Sequence, residues 1–320
     1  MNVLVTGCAG FIGSHLCDAL LKEGHHVTGM DNFDPFYART MKERNLEGAR
    51  RHNAFHFIEM DIRSSEAWSK VSMEIDCVIH LAAKAGVRPS IAHPAEYVSV
   101  NIGGTQTLLE WMTQHTVRTG RKLVFGSSSS VYGNQTKVPF DEDDRVDRPI
   151  SPYAFTKKSG ELLVHTYHHL HGLDVVSLRL FTVYGPRQRP DLAIHRFTKL
   201  LLEGKPLPVF GDGSTGRDYT YVDDTVSGIL SAMHYVVGHE NVFEIINLGN
   251  NHPVLLRDLI KALEEVTGIR GSIESLPMQP GDVEQTWANI TRAKQLLEYH
   301  PDTDLHDGLK HFLEWFRSLA

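Results

Sequence analysis

A glycine-rich turn close to the first residue constrains the fold of this chain more than any other feature. A short apolar run at Asn2–Thr6 leads into the letters TGCAGFIG, and a stretch with helical spacing follows at Phe11–Glu23. Glycines in such a turn allow a bend too tight for a side chain, close approach of the backbone to a diphosphate, and contact between helix and strand. The order of strand, turn and helix therefore predicts the first unit of a dinucleotide-binding parallel sheet.

The same alternation of strand and helix continues through the first half of the chain. Helical spacing recurs at Pro94–His115 and Pro152–His171. Short apolar runs between these stretches predict further strands, at His26–Met30, Phe55–Glu59, Asp76–Leu81, Arg121–Gly126 and Leu173–Leu180. Nearly continuous apolar strands that alternate with helices are typical of a doubly wound parallel α/β sheet, the Rossmann fold.

The second half of the chain has a different composition and predicts a smaller unit. Prolines become frequent after about residue 180, and helical patterns return at 196–203, 254–267, 288–299 and 305–319. We expect residues 1–180 with about 217–248 to form the cofactor domain, and about 181–216 with 249–320 to form a mixed α/β substrate-binding domain. Ligands bind at the carboxyl ends of parallel strands, where this second domain would enclose them.

Composition excludes several classes of protein. The 32 lysines and arginines are outnumbered by 39 acidic residues, and no basic cluster indicates nucleic-acid binding. No apolar run approaches the roughly 18 residues that a membrane helix needs. Three cysteines favour a reducing compartment, most simply the cytoplasm. His165 and His169 lie one helical turn apart, but without a neighbouring cysteine or carboxylate they indicate a solvated helix face, and no metal is expected.

Residues at the predicted strand ends indicate which dinucleotide binds. Asp31 ends the second strand, where a carboxylate binds ribose hydroxyls and repels a 2′-phosphate, so NAD is favoured over NADP; the alternative is a solvated turn aspartate. Asp61 and Ile62 are expected near the adenine, and Leu81–Lys84 beneath the cofactor. The predicted cofactor-binding residues from these segments are Gly7, Gly10, Phe11, Ile12, Gly13, Asp31, Asn32, Asp61, Ile62, Leu81, Ala82, Ala83 and Lys84.

A tyrosine and a lysine at the start of one predicted helix suggest acid–base chemistry. Ser151 is a suitable N-cap and Pro152 a suitable first helical residue, which places Tyr153 and Lys157 on one face. A lysine cation and the positive nicotinamide of NAD⁺ should lower the pKa of the phenol, so that Tyr153 can remove the proton of a hydroxyl as hydride leaves the same carbon. Such pairs are common on ordinary helix surfaces, so this pattern alone is insufficient.

A serine cluster at the end of the fifth predicted strand makes the catalytic interpretation stronger. Ser127, Ser128, Ser129 and Ser130 follow Gly126, in a position where the strand opens at the ligand crevice. One of these hydroxyls can join Tyr153 on the reacting oxygen. A serine-rich loop without function is the alternative.

Seven motifs give the chain a close resemblance to extended short-chain dehydrogenases/reductases, and within them to the UDP-sugar 4-epimerases. The motifs span nearly the whole length and read TGCAGFIGSHL, LAAKAGVRPS, FGSSSSVYG, SPYAFTKK, LRLFTVYGPRQRPD, GRDYTYVDD and GDVEQTWANI. The resemblance implies a catalytic set of Ser128, Tyr153 and Lys157. It also implies that Tyr153, Lys157 and Asn101 contact NAD. For the substrate, it implies that Arg217 binds the diphosphate, that Asp282 lies near the nucleotide ribose, and that Arg88 contributes to binding.

The resemblance also implies the type of reaction. Related 4,6-dehydratases carry an Asp-Glu pair just after the catalytic hydroxyl, and UDP-glucuronate decarboxylases carry a glutamate two places after it. This chain has Ser129 and Ser130 there, so elimination and C5 proton transfer lack their usual carboxylate. The 4-keto intermediate is then expected to take hydride back on its other face, which is epimerisation. A decarboxylase with a displaced acid and a non-catalytic NAD sensor remain alternatives.

The sugar is inferred from the segment after the sixth predicted strand. Galactose-type epimerases usually have asparagine where this chain has Thr182, and the FTVYGP run resembles uronate epimerases. Thr182 and Arg189, with Ser128, Ser129 and Ser130, could bind a C6 carboxylate. Lys84 counts against this interpretation, because uronate epimerases often have glutamine there. UDP-glucuronate is therefore favoured over UDP-glucose, and enzymes of this group commonly form homodimers through the helix with the tyrosine and lysine.

Overall fold

The computed structural model describes residues 1–71, 74–115, 121–277 and 283–319. Its strands are β1 (Asn2–Thr6), β2 (His26–Asp31), β3 (Phe55–Glu59), β4 (Cys77–His80), β5 (Lys122–Ser128), β6 (Asp174–Leu180), β7 (Thr182–Tyr184), β8 (Leu207–Phe210), β9 (Gly216–Tyr221), β10 (Phe243–Leu248), β11 (Pro253–Leu255) and β12 (Ile273–Leu276).

The helices alternate with these strands. They are α1 (Phe11–Lys22), α2 (Arg39–Asn45), α3 (Glu47–Arg50), α4 (Ser65–Ser69), α5 (Val87–Ala92), α6 (Pro94–Tyr97), α7 (Thr105–His115), α8 (Pro152–His171), α9 (Ala193–Leu202), α10 (Val222–Gly238), α11 (Leu256–Thr267), α12 (Thr291–Leu297) and α13 (Leu305–Arg317). A π-helical turn at Val98–Gly104 joins α6 to α7, and a 3₁₀ turn at Ser129–Tyr132 follows β5. Of the helices in the described ranges, none is long and apolar enough to cross a membrane.

The central sheet confirms the predicted parallel α/β architecture. Within the described residues it contains seven strands in the order β10-β6-β5-β4-β1-β2-β3, and every neighbouring pair is parallel. Strand β4 is buried along its whole length, and β5 and β6 are buried except at their last residues, because helices cover both faces. Apolar runs in the sequence were therefore sufficient to locate these strands.

The strand order reverses beside β1, and this reversal positions the site. Strand β1 lies between β2 and β4, with Val3 paired to Val27 on one side and to Cys77 on the other. The connections from these strands leave in opposite directions at this point, so their carboxyl ends open a crevice between them. The glycine turn, Asp31 and Ala82 all follow strands that end at this crevice.

Two smaller sheets lie in the second half of the chain. One has the order β11-β9-β7 and the other pairs β12 with β8. Strand β9 (Gly216–Tyr221) thus belongs to a small sheet, whereas β10 (Phe243–Leu248) is an edge strand of the central sheet. The proposed division into two domains remains a prediction, with its second boundary falling inside β9.

The helical prediction for Pro94–His115 was too simple. The segment contains α6, the π-helical turn and α7, and the π-helical turn includes Asn101, which is buried. Gly24, which follows α1, has a φ of +82°, the left-handed conformation that glycine adopts without strain. Helix α10 and strand β10 were not predicted as elements, although the segment that contains them was assigned to the cofactor domain.

Candidate active site

A cavity of about 510 Å³ lies at the carboxyl ends of the central strands. Its lining includes most residues that the sequence singled out. They are Gly7, Gly10, Phe11, Ile12, Gly13, Asp31, Asn32, Asp61, Ile62, Leu81, Ala82, Ala83, Lys84, Ser128, Ser129, Ser130, Tyr153, Lys157, Thr182, Arg189 and Arg217. The residues proposed for cofactor, catalysis and substrate therefore share one enclosed volume.

The glycine turn has the geometry that its sequence predicts. Gly7 has a φ of +75°, and a Cβ added there would lie 2.8 Å from the backbone nitrogen of Ala82. A Cβ on Gly13 would lie 2.1 Å from the Gly7 oxygen, so α1 can start this close to β1 only with glycine at that position. Gly10 is the N-cap of α1 and supplies no capping side chain. The first N–H groups of α1 are thus available to a diphosphate.

Asp31 ends β2 and lies against the glycine turn. Its carboxylate accepts hydrogen bonds from the N–H of Ala9 at 3.1 Å and of Phe33 at 2.8 Å. Burial raises the pKa of this carboxyl group, and the charge of Lys42 and the two backbone donors oppose the increase. The carboxylate keeps unused lone pairs facing the cavity, as a partner for ribose hydroxyls requires.

Asn32 and Asp61 connect β2 and β3 across the cavity wall. The Asn32 amide donates to the Asp61 carboxylate at 2.9 Å. Hydrogen bonds from Arg63 lower the pKa of Asp61 to about 2, although its partial burial acts in the opposite direction. Asp61 therefore stays ionised at neutral pH and can accept a hydrogen bond from an adenine amino group.

Lys84 lines the cavity, and the side chain of Asn101 fixes the backbone of Lys84 by hydrogen bonds. The Asn101 side chain accepts from the Lys84 N–H at 2.7 Å, donates to the Lys84 carbonyl at 3.0 Å, and donates to Thr156 on α8 at 2.9 Å. The Lys84 ammonium pairs with Glu96 and, at 3.7 Å, with Asp34. Among the described residues Asn101 is not part of the cavity lining, and its contact with NAD stays a prediction.

Helix α8 starts as its sequence predicts and is fixed against β5. The Ser151 hydroxyl accepts from the Ala154 N–H at 3.1 Å, and Gly172 ends the helix in the left-handed conformation. A Cβ on Gly160 would lie 2.4 Å from the ring of Phe125, so helix and strand are in direct contact at that point. This contact, one turn after Lys157, sets how far the helix stands from the sheet.

The electrostatics of Tyr153 differ from the expectation. Burial raises the pKa of its phenol, while hydrogen bonding with Ser128 and the charge of Arg189 oppose the increase. The Lys157 ammonium donates to the Gly126 carbonyl at 2.6 Å. Burial lowers the pKa of Lys157 to about 8, against the opposing charge of Glu161. The predicted lowering of the tyrosine pKa is therefore not met by the protein's own groups, because burial dominates.

The serines of the cluster have different hydrogen-bond partners. Ser128 caps the 3₁₀ turn by accepting from the Ser130 N–H at 3.2 Å, and the Ser130 hydroxyl donates to Ser128 at 2.9 Å. The Ser127 hydroxyl instead donates to the buried carboxylate of Glu161 at 2.7 Å. Ser128 is thus the hydroxyl that is both oriented by its neighbours and close to Tyr153.

Arg189 provides positive charge to the cavity lining. Its guanidinium binds Asp191 through two nitrogens, at 3.0 and 2.8 Å, and lies 5.4 Å from the ring centre of Phe36. Thr182 begins β7 and also lines the cavity. The binding of a carboxylate by Thr182 and Arg189 stays a prediction, and Asp191 neutralises part of the charge of Arg189.

Two predicted substrate residues lie elsewhere or outside the described ranges. The Arg88 guanidinium lies 4.7 Å from the ring centre of Phe210, and in the described part of the chain Arg88 does not line the cavity. Asp282 lies outside the described residues. Arg217 lines the cavity and donates to the Gly216 carbonyl at 2.8 Å.

A group of cavity residues that follows β2 was not predicted from the sequence. The group contains Asp34, Phe36, Tyr37 and Lys42, and within the described ranges the Tyr37 hydroxyl is buried without a hydrogen-bond partner. Lys42 lies 4.7 Å from the ring centre of Tyr37. The only signal was position, because any segment that follows a central strand borders the crevice.

Comparison with known proteins agrees with this geometry. The model of the GDP-mannose 4,6 dehydratase family matches residues 4–312. The chain is 44% identical to the UDP-glucuronate 4-epimerase of Thermodesulfobacterium geofontis, with 98% of this chain and 95% of that protein covered. It is 42% identical to UDP-glucuronate 4-epimerase 5 of Arabidopsis thaliana, with 99% and 75% covered.

Solved structures resemble the chain over its full length. The UDP-glucuronic acid 4-epimerase from Bacillus cereus, in complex with UDP-glucuronic acid and NAD, superposes with a TM-score of 0.94 at 42% identity, covering all of both chains. The UDP-glucose 4-epimerase of Thermotoga maritima superposes with a TM-score of 0.90 at 35% identity, covering 100% of this chain and 99% of that one. The chain belongs to the GDP-mannose 4,6 dehydratase family of extended short-chain dehydrogenases/reductases, in its UDP-sugar epimerase branch.

Proposed function

We propose that the chain is an NAD-dependent isomerase that inverts C4 of UDP-glucuronate to give UDP-galacturonate through a transient 4-keto sugar. One observation carries the proposal. A dinucleotide-type glycine turn, the Ser128 and Tyr153 hydroxyls, and an anion-binding wall with Thr182 and Arg189 line the same cavity. The relatives named above as UDP-glucuronate 4-epimerases support both the reaction and the sugar.

The cavity fits NAD on grounds of its own geometry. Gly7 and Gly13 lie so close to neighbouring backbone that a Cβ on either would collide with it, and this close packing keeps the α1 N-terminus at the cavity, where its N–H groups are open to a diphosphate. Asp31 would hold the adenosine ribose and Asp61 the adenine, while Lys84 and Lys157 would hold the nicotinamide end. Bound NAD would supply the acceptor for the hydride of C4, and the same hydride would be available for return to the sugar.

The chain's own residues supply proton transfer and orientation. Ser128, fixed by Ser130, would orient the C4 hydroxyl, and Tyr153 would take its proton and later return it. The Lys157 ammonium, held by the Gly126 carbonyl, contributes positive charge next to the phenolate that forms. Burial raises the pKa of Tyr153, and the hydrogen bond with Ser128 and the charge of Arg189 oppose this increase, so both groups would assist the proton transfer.

The anion-binding wall would hold the C6 carboxylate of the sugar. Charge-assisted bonds from Arg189, with hydroxyls of Thr182, Ser129 and Ser130, match a carboxylate in number and type. A 4-keto uronate is a β-keto acid, which loses CO₂ most easily when the carboxylate stands perpendicular to the carbonyl plane. A carboxylate that is held away from this orientation protects the intermediate until hydride returns.

Replacing Arg189 with methionine should lower kcat/KM for UDP-glucuronate by roughly 10- to 100-fold, because a hydrogen bond to a charged group is lost. Activity on UDP-glucose, which has no carboxylate, should fall less, because only the effect of the Arg189 charge on the pKa of Tyr153 is lost. The exposed Arg196, replaced by methionine, is the matched control and should leave both activities unchanged. Equal loss on both sugars would contradict the role of Arg189 as a carboxylate ligand.

The proposed function is tested by separate incubations with UDP-glucuronate and UDP-glucose, without added NAD, followed by identification of the products. UDP-galacturonate from the first sugar supports the proposal, because an epimerase regenerates its own NAD⁺. A UDP-pentose with CO₂ would identify a decarboxylase instead. Equal turnover of UDP-glucose would identify a UDP-glucose 4-epimerase and remove the carboxylate pocket.

We further propose that two copies of the chain form a dimer through α8, and that the protein works in a reducing compartment, the cytoplasm. Large apolar side chains on α8 and the π-helical turn are exposed, with Phe155 at 47%, Leu162 at 58% and Val98 at 41%. The three cysteines are buried thiols. Light scattering should give the mass of a dimer, and Leu162→Glu should give a monomer, since a carboxylate on each copy would be buried in the pair. A wild-type monomer would refute the pairing.

A further inference from the structure

Outside the cavity, three side chains from separate elements converge at the far end of α1. Glu23 caps the C-terminus of α1, His25 immediately precedes β2, and His234 lies on α10. Their nearest nitrogen and oxygen atoms all lie within 4.8 Å of one another. The two histidines are 209 positions apart in the chain, so no spacing motif in the sequence could reveal this cluster.

We propose that Glu23, His25 and His234 form a binding site for Zn²⁺, and that the bound metal links the end of α1 to α10. The Glu23 Oε2 atom lies 3.3 Å from His25 Nε2 and 3.7 Å from His234 Nε2. Zn–N and Zn–O bonds of about 2.0–2.2 Å in tetrahedral geometry place neighbouring donors about 3.3 to 3.6 Å apart. The distances from Glu23 to His25 and from Glu23 to His234 are therefore already close to those of a tetrahedral site.

The distance between His25 and His234 needs only a small side-chain movement to match a tetrahedral site. The rings of His25 and His234 have centroids 6.3 Å apart at an interplanar angle of 52°. The His234 side chain is 53% exposed, and the Glu23 side chain is 39% exposed. Both can therefore rotate without disturbing the core, whereas the His25 side chain, 12% exposed, provides a fixed ligand.

The chemistry of the donors favours zinc over hard cations. Two imidazoles and one carboxylate suit Zn²⁺, whereas Mg²⁺ and Ca²⁺ prefer oxygen-only sets.

The position of the site gives it a structural role. Helix α1 has 12 residues and spans about 18 Å, with the glycine turn at one end and Glu23 at the other. A metal that joins Glu23 to His234 would fix the end of α1 that points away from the cavity. The inference is independent of the proposed epimerase activity, because its readouts need neither substrate nor NAD.

The test is a Zn²⁺ titration by calorimetry on the full chain, without an affinity tag and after treatment with a chelator. One equivalent should bind to the wild type, and His234→Asn should weaken this binding at least 10-fold. His169→Asn, a change on the histidine-rich face of α8, is the matched control and should leave the binding unchanged. Equal binding by His234→Asn, or no binding by the wild type, would overturn the site.

Thermal unfolding provides a second readout. A hundredfold excess of Zn²⁺ over the dissociation constant should raise the Tm of the wild type by roughly 3 to 6 °C, and Mg²⁺ should not. The His234→Asn variant should show no Zn²⁺-dependent increase, although its Tm without metal should match the wild type because His234 is exposed. A zinc-dependent increase of the same size in His234→Asn would assign the stabilisation to another site.

Discussion

Tyr153→Phe is expected to lower the turnover of UDP-glucuronate by about 10²- to 10⁴-fold, the usual contribution of a positioned acid–base group. The substitution removes one oxygen atom from a buried side chain beside Ser128 and leaves the ring in place. Binding of NAD should be unchanged, because the glycine turn and Asp31 are not altered. Steady-state kinetics and the NAD released on denaturation measure the two effects separately.

The control for this prediction is the same change at Tyr167, which lies on the same helix away from the cavity. Tyr167→Phe should retain nearly full turnover. A Tyr153→Phe variant that keeps more than a tenth of wild-type turnover would remove the phenol from the proton transfer. A variant that loses NAD as well as turnover would show that the ring holds the cofactor, which is a different role.

The parts of the site that the sequence predicted depend on local chain geometry. Gly7 and Gly13 act within one strand–turn–helix unit, and Ser151 acts within the first turn of α8. Asp31 needs only its place at the end of β2. Each of these roles can be predicted from the sequence, because the residues that define the role are close together in the chain.

The parts that the sequence did not predict depend on distant partners. Strand β10 contains Glu244 and Asn247, and these polar residues interrupt the apolar pattern that marks a buried strand. The side chain of Asn247 can be buried because its Oδ1 atom accepts from the Tyr132 hydroxyl at 2.7 Å and its Nδ2 atom donates to the Phe140 carbonyl at 3.0 Å. Both partners lie more than 100 residues away, so the burial of Asn247 could not be predicted.

The same buried network contains an ion pair beneath the catalytic helix. Arg179 on β6 binds Glu161 on α8 through two nitrogens, at 2.9 and 3.0 Å, and each side chain is 1% exposed. Arg179 also donates to the Tyr132 hydroxyl at 2.9 Å. Glu161 accepts from Ser127, next to the catalytic serine. The pair therefore joins the sheet to the helix with Tyr153 and Lys157.

Arg179→Met should lower the free energy of unfolding by about 3 to 5 kcal/mol at pH 7.5, because it removes the buried two-nitrogen partner of the Glu161 carboxylate and leaves it an ion pair with Lys158, at 3.1 Å. Denaturant unfolding measures the change. Arg292→Met, which removes a part-exposed partner of Asp143, is the control and should cost less than about 1 kcal/mol.

The pH dependence of this loss gives the sharper test. Burial acts to raise the pKa of Glu161, but the hydrogen bonds and charge of Arg179 outweigh it, so the pKa lies below its usual value and the carboxylate stabilises the fold above the pKa of the unfolded chain. Without Arg179, burial dominates and the pKa rises, so protonation at lower pH relieves the unpaired charge. The deficit of Arg179→Met should therefore shrink from pH 7.5 to pH 5.

A second variant separates the unpaired charge from lost packing. Adding Glu161→Leu to Arg179→Met removes the buried carboxylate, so the double variant should recover at least half of the lost stability and show no such pH dependence. If the double variant is less stable than Arg179→Met at both pH values, the loss comes from the shape of the arginine in the core. The ion pair would then not be what holds α8 to the sheet.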